Sequence, residues 1–136
     1  MSAKRVVFDT NILLSAFLSG GNPELLFEAV RAGRIELITS PSILTEFASI
    51  LKSKFAWEND DIRDAVTVIG RRAEIVKPKQ KLSLLEDDAD NRVLECAIEG
   101  NAGCIISGDR HLLSMGEFRG IPIVRASDFL DRLPPL

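Results

Sequence analysis

Residues 4–11 read KRVVFDTN, and this stretch decides the fold that the sequence predicts. The β-branched and aromatic run at 4–8 predicts a strand, which the polar turn Asp9-Thr10-Asn11 ends. In sheets that carry helices on both faces, ligands bind beyond the carboxyl ends of the strands. The first strand therefore delivers Asp9 to the edge where a ligand is expected.

The remaining sequence alternates strand-like runs with amphipathic helical stretches. Further strands are predicted at 35–39, 74–76, 103–107 and 121–124. Cap signals predict helix starts, and they are Asn22 before Pro23, Ser40 before Pro41, Asp87 or Asp88, and Ser127. This alternation predicts an α/β fold with a parallel sheet between helices. No repeat or composition break divides residues 1–136, so we expect a single domain.

Composition limits the possible functions. The 136-residue chain is 46% hydrophobic with a net charge of −3, which favours a globular protein over a nucleic-acid coat protein. We expect a cytoplasmic protein with no membrane association, because no apolar run spans a bilayer and the start does not resemble a signal peptide. Cys96 and Cys104 are predicted to be buried free thiols. With His111 as the single histidine, a His/Cys zinc site is nearly excluded.

Four acids are predicted to meet at the ligand-binding edge. Asp109 ends the fourth strand as Asp9 ends the first, Glu46 lies two turns into its helix, and Asp90 lies in a first helical turn. Such carboxylates repel one another unless a cation is present, and an oxygen-only ligand set suits Mg²⁺ or Mn²⁺. A site of this kind suits attack on a phosphodiester.

Each acid also has an ordinary structural interpretation. Asp90 could serve only the helix dipole, Asp109 could be a turn residue or cap, and Glu46 could be a solvated helix residue. The joint arrangement, and not any single acid, carries the prediction.

Four segments resemble the motifs of PIN domains, in the right order over nearly the whole chain. They are FDTN at 8–11, SPSILTE at 40–46, DNRVLECA at 90–97 and IISGD at 105–109. The resemblance implies a three-layer α/β/α sandwich with a five-stranded parallel sheet of order 3-2-1-4-5. It also implies Mg²⁺- or Mn²⁺-dependent cleavage of RNA.

The resemblance assigns roles residue by residue. The implied metal-binding quartet is Asp9, Glu46, Asp90 and Asp109, and a register shifted by one turn would place Asp87 or Asp88 at the third position. Asn11 would orient the first acid or its water, and Ser107 replaces the usual threonine while keeping its hydroxyl. The single-domain form is similar to the VapC-like toxins of toxin–antitoxin pairs. This likeness implies an antitoxin partner and a homodimer or higher even oligomer.

Further side chains are candidates for contacts with RNA or a partner. Arg110, which follows a site acid, and Arg92 are predicted to contact RNA. His111 is a possible general acid, although a structural role at a helix terminus is favoured. An apolar surface for an antitoxin or a second copy is predicted from Phe17, Leu18, Phe47, Phe55 and Trp57, with core packing favoured for Phe17 and Phe47.

Rival functions fit less well. A haloacid-dehalogenase-like phosphatase or phosphotransferase requires a second Asp two positions after the first, and this chain has Asn11 there. A receiver domain wants paired acids and a lysine after the last strand, where Arg125 stands. A non-catalytic PIN-fold module that binds RNA or protein stays open, although all four acids are present.

Overall fold

The computed structural model describes residues 4–133, which form a six-stranded sheet with seven helices. The strands are β1 Lys4–Phe8, β2 Ile35–Thr39, β3 Ala73–Ile75, β4 Cys104–Ile106, β5 Glu117–Phe118 and β6 Ile121–Val124. The helices are α1 Thr10–Leu18, α2 Gly21–Arg31, α3 Pro41–Phe55, α4 Asn59–Arg72, α5 Asp88–Glu99, α6 Arg110–Met115 and α7 Ala126–Arg132.

The sheet order is β3-β2-β1-β4-β6-β5, and every pairing is parallel except that of β5 with β6. Numbered in chain order, the five parallel strands have the predicted order 3-2-1-4-5. The α/β/α sandwich is therefore confirmed. The fold places β1 and β4 side by side, so their carboxyl ends lie at one edge of the sheet.

The strand count is six rather than the five that the sequence predicts. The additional strand, β5, has two residues and forms a hairpin with β6. Arg119 and Gly120 make the turn, with φ of 50° and 82°. Two consecutive positive φ values suit the twist of a tight hairpin. A two-residue strand is too short to show alternation in the sequence.

The central strands are buried because helices cover the sheet. Val6, Val7 and Phe8 have no exposed surface, and neither do Ile105 and Ile106. A strand buried on both faces carries a continuous apolar run, which residues 6–8 and 104–106 do. The rigid centre of the sheet thus leads directly into Asp9 and Asp109.

Two of the four predicted helix starts are confirmed, and two are wrong. Ser127 does not start the last helix, because α7 begins at Ala126 after Arg125. Ser40 caps α3, where its hydroxyl accepts a hydrogen bond from Ile43 N at 3.3 Å, and Asp87 caps α5. Asn22 does not cap α2, because that helix begins at Gly21 after Gly20. Both glycines have positive φ, so the chain turns two residues earlier than the Asn-Pro signal indicates.

Helix α5 lies close against the sheet at its end. A Cβ atom added to Gly100, the residue that ends α5, would stand 2.6 Å from Ile38 Cγ2 of β2. The absence of a side chain therefore permits this close approach.

Arg5 ties strands together at the amino edge of the sheet. Its guanidinium donates to Gly100 O at 2.7 Å and pairs with Glu36 at 3.3 Å and Glu74 at 3.1 Å. The hydrogen bond from Arg5 lowers the pKa of Glu74. The acids at this edge are thus paired, in contrast to those at the carboxyl edge.

Both cysteines are buried free thiols, as predicted. Burial raises the pKa of Cys96 to about 12, so this thiol is protonated at neutral pH. In the described part of the chain, no helix has the length and apolar character needed to span a membrane.

Candidate active site at the carboxyl edge of the sheet

The four acids predicted from the sequence line one small cleft of about 40 Å³. Asp9 follows β1 and Asp109 follows β4, while Glu46 projects from α3 and Asp90 from the first turn of α5. Asp9 and Asp90 are buried, and Glu46 is half-buried. Acids separated by up to 100 positions in the sequence therefore share one cleft.

Asp9 is held rigidly at the end of β1. Its Oδ1 accepts a hydrogen bond from Ile12 N at 2.9 Å, which caps α1, and its Oδ2 accepts one from the Ser107 hydroxyl. Burial raises the pKa of Asp9 most, these hydrogen bonds oppose the rise, and the charge of Asp109 adds to it. The carboxylate is thus fixed in position but costs free energy to ionise.

Ser107 connects the first and fourth acids. Its hydroxyl donates to Asp9 and accepts a hydrogen bond from Asp109 N at 2.9 Å. The residue is fully buried, so its hydroxyl orients both strand ends without reaching solvent. Serine therefore supplies the hydroxyl that orients Asp9 and Asp109.

The Asp109 side chain caps α6. Its Oδ1 accepts hydrogen bonds from His111 N at 2.8 Å and Leu112 N at 3.1 Å. These amides fix the carboxylate in the turn that follows β4. The prediction that Asp109 is a helix cap is therefore confirmed. The same residue also lines the cleft, so the cap is compatible with a functional role.

Asp90 is a buried acid of the cleft with a strongly raised pKa. Burial, followed by the charges of Asp109, Asp87 and Asp9, raises its pKa from 3.8 to about 6. The residue is 7% exposed, and its Oδ2 is buried with no hydrogen-bond partner within the described residues. A buried carboxylate oxygen without a donor is costly unless a cation satisfies it.

Asp87 is a further acid of the cleft, which the sequence indicated as a helix cap and as a neighbour of the third acid. It lines the same cleft, and its Oδ1 accepts a hydrogen bond from Ala89 N at 3.0 Å. Burial raises the pKa of Glu46, and the charge of Asp87 raises it further. The spacing of Asp87 and Asp90, three residues apart across a helix start, is the signal that could have revealed it.

The other predicted site residues differ in their surroundings. Asn11 is exposed and lines the cleft. Arg110 is exposed at the start of α6. Arg92 is largely buried, donates to Leu82 O at 2.9 Å, and pairs with Glu95 at 2.8 Å. Its guanidinium thus already has protein partners, and RNA contact by either arginine stays a prediction.

The donor set of the cleft fits a hard divalent cation. Its acidic lining offers carboxylate oxygens, which such cations prefer. Among residues 4–133, no group donates a hydrogen bond to Asp90 Oδ2, so this oxygen can serve as a ligand. Within residues 4–133, no three acidic, histidine or cysteine side chains are already arranged to hold one ion.

Comparison with known proteins agrees with this architecture. The PIN domain family model matches residues 5–111. An uncharacterised protein of Methanocaldococcus jannaschii is 30% identical over 116 residues, which cover 82% of this chain and 74% of that protein.

Solved structures share the fold at low sequence identity. VapBC2 from Rickettsia felis, bound to a fragment of promoter DNA, has a TM-score of 0.63 at 15% identity and covers 88% of this chain and 96% of its own. PAE2754 from Pyrobaculum aerophilum gives 0.63 at 11%, covering 96% and 89%. VapBC-1 from nontypeable Haemophilus influenzae gives 0.62 at 16%, covering 90% and 98%. Since the family model spans most of the chain, this protein belongs to the PIN domain family.

Proposed function

We propose that this protein is a Mg²⁺- or Mn²⁺-dependent endoribonuclease and the toxin of a toxin–antitoxin pair. The observation that carries the proposal is the buried Oδ2 of Asp90, which has no hydrogen-bond partner among residues 4–133, in a cleft lined by Asp9, Glu46 and Asp109. Membership of the PIN family and the likeness to VapBC structures support it.

Some residues of the cleft would bind the metal, and Ser107 would position the acids that bind it. Asp9, Glu46, Asp90 and Asp109 would hold the metal. A metal bound there supplies an activated water and screens the charge of the phosphodiester. Ser107 keeps two of these acids in position through its two hydrogen bonds, and hydrogen bonds of this kind typically decide how well a ligand set binds.

Two further residues lie where they can act on RNA. Asn11 lines the cleft next to Asp9, where its side-chain amide can orient that acid or a water. Arg110 follows Asp109 directly and is exposed, so its guanidinium can contact a phosphate oxygen.

The rival functions receive less support. Membership of the PIN family leaves the phosphatase proposal without a structural basis. A non-catalytic binding module would have no use for a buried carboxylate that repels its neighbours, because such an arrangement only costs stability.

The test is cleavage of a fluorescent single-stranded RNA by the purified chain. We expect cleavage with Mn²⁺, its loss in EDTA, and its loss in Asp9→Asn. Asp64→Asn, an exposed change in α4, is the matched control and should cleave like the wild type. Circular dichroism must show that Asp9→Asn is folded. Cleavage that persists in a folded Asp9→Asn protein contradicts the site assignment, and a wild type that never cleaves supports a binding module.

The antitoxin part of the proposal rests on a second surface. An open groove of about 470 Å³ has apolar walls that include Phe17, Trp57 and Val68, and its rim carries Glu58, Asp61 and Asp64. Of the predicted apolar surface, Phe47 is fully buried in the core, whereas Phe55 is 49% exposed.

A groove with apolar walls and an acidic rim suits a partner segment that is apolar and basic. We expect a cognate antitoxin to bind here and suppress toxicity when it is co-expressed, and Trp57→Ala to weaken that suppression. Analytical ultracentrifugation of the isolated chain tests the proposed homodimer, and a monomer at micromolar concentration would contradict it.

A further inference from the structure

A second pocket adjoins the carboxylate cleft. It has a volume of about 250 Å³ and is lined by Leu85, Glu86, Asp87, Asp90 and His111. Asp87 and Asp90 also line the cleft, so the two spaces share a wall. A group bound in this pocket would therefore lie next to a phosphodiester held in the cleft.

One wall of the pocket is fixed before any ligand binds. The Asn91 side chain is 1% exposed and bonds the segment that carries Leu85 three times. Its Oδ1 accepts from Leu85 N at 2.8 Å and from Leu84 N at 3.1 Å, and its Nδ2 donates to Leu85 O at 2.8 Å. A buried amide thus holds a segment that has no helix or strand of its own.

The turn that carries His111, another lining residue of the pocket, is also constrained. His111 N donates to Asp109 Oδ1 at 2.8 Å, so the residue that lines the pocket and the acid of the cleft belong to one turn. The imidazole is exposed and lines the pocket, where it offers an aromatic face. Apolar surface from Leu85 and an aromatic ring are the features that stack a nucleobase.

The charges of the pocket decide which part of a nucleotide fits. Glu86, Asp87 and Asp90 would repel a phosphate, but their oxygens accept hydrogen bonds from N–H groups. The amino groups of adenine, cytosine and guanine are such donors. The volume also exceeds that of a single base.

We propose that this pocket binds one unpaired nucleobase of the RNA substrate, next to the phosphodiester that is cut. The inference rests on the proposed function and adds a substrate class to it. His111 stacks on the base, Leu85 packs against it, and Glu86 accepts a hydrogen bond from its amino group. The substrate is single-stranded RNA with an amino-bearing base at this position, and uracil is disfavoured because it offers the acidic wall the single N–H of N3 and no amino group.

The first test measures binding without cleavage. Single-stranded RNA that contains one 2-aminopurine is titrated in Mn²⁺ into the Asp9→Asn protein, and stacking quenches its fluorescence. In this background we expect His111→Ala to abolish the quench and weaken binding about 5- to 150-fold, the range that corresponds to loss of one base stack. His111→Phe should retain both.

The control variant comes from the same wall. Leu84 precedes Leu85, is 57% exposed and does not line the pocket. We expect Leu84→Ala to bind like its parent and Leu85→Ala to bind more weakly. Equal losses in the two variants would show that the segment, and not the pocket, matters, which overturns the proposal.

The second test uses cleavage by the Asp9-containing chain. KM should be lower for oligonucleotides of adenosine or cytidine than for those of uridine, and Glu86→Gln should reduce that difference. If the wild type cleaves while His111→Ala keeps its KM and base preference, the pocket assignment is wrong and the nuclease stands. If cleavage is lost in both His111→Ala and His111→Phe, the imidazole transfers a proton rather than stacking, which overturns the proposal.

A wild type that does not cleave, yet loses the quench in His111→Ala, would refute the nuclease and retain the base pocket. The binding and cleavage experiments therefore separate failure of this inference from failure of the proposed function.

Discussion

Replacing Asp90 by Asn should stabilise the metal-free protein at pH 8. The pKa of Asp90 lies at about 6 because of burial first, and then because of the charges of Asp109, Asp87 and Asp9. Asn has nearly the shape of Asp but carries no charge. The substitution therefore removes the repulsion and leaves the packing of α5 in place.

The sign and the size follow from proton binding. Below pH 3.8 the group is protonated in both the folded and the unfolded chain, so it contributes nothing. Between 3.8 and about 6 the unfolded chain releases the proton while the folded chain retains it, so stability falls as the pH rises. Above about 6 the penalty is complete. The difference between the two pKa values lowers the free energy of unfolding by about 3 kcal/mol at most, and by about 1–2 kcal/mol once screening by water in the open cleft is allowed for.

The assay is differential scanning calorimetry in EDTA at pH 8 and at pH 4. At pH 8 we expect Asp90→Asn to raise the Tm by about 3–8 °C for a domain of this size, and at pH 4 to change it little. Asp64→Asn is the exposed control and should lie within about 0.5 kcal/mol of the wild type at both values. Mn²⁺ should raise the Tm of the wild type more than that of Asp90→Asn, because a bound ion stabilises the state that binds it. An unchanged or lowered Tm for Asp90→Asn in EDTA at pH 8 would refute this reasoning.

Three other predictions concern packing and positioning. Gly100→Ala should lower the free energy of unfolding by about 1–3 kcal/mol, because the new Cβ meets Ile38. Gly70→Ala in α4 should raise it by about 0.5–1 kcal/mol, because alanine favours a helix and meets only ordinary contacts there. Urea unfolding measures both changes, and equal effects would contradict the packing argument. Ser107→Ala should weaken Mn²⁺ binding about 10- to 100-fold by calorimetric titration, and Ser107→Thr should restore it, since the hydroxyl and not the methyl orients the acids. Asn91→Ala should accelerate hydrogen exchange at the two amides that bond its side chain, and retained protection there would show that the segment is held by other contacts.

The ends of the central strands were predictable from the sequence for a physical reason. A strand buried on both faces must be apolar throughout, so the first polar residue after it marks where the strand leaves the sheet. Asp9 stands at such a position after β1, and Ser107 stands at one after β4, two residues before Asp109. The pairing of β1 with β4 brings the two strand ends to one edge. The parallel order of the sheet follows from the alternation of strands and helices.

Other features depend on tertiary contacts that leave little trace in the sequence. The part that Asp87 plays in the cleft depends on the path of the segment before α5, which the buried Asn91 fixes. The partners of Arg92 come from that same segment and from its own helix. The start of α2 depends on two glycines with positive φ, and the hairpin of β5 and β6 is too short for a periodic signal.

The position of β4 between β1 and β6 has a consequence for synthesis of the protein on the ribosome. A nascent chain that has released only its first hundred residues contains Asp9, Glu46 and Asp90 but has nothing to fill the gap beside β1. The last acid arrives at residue 109, just after β4, the strand that fills this gap. The four carboxylates can therefore gather only after residue 109 has left the ribosome, so a ribosome that is still making the earlier strands and helices carries no assembled site.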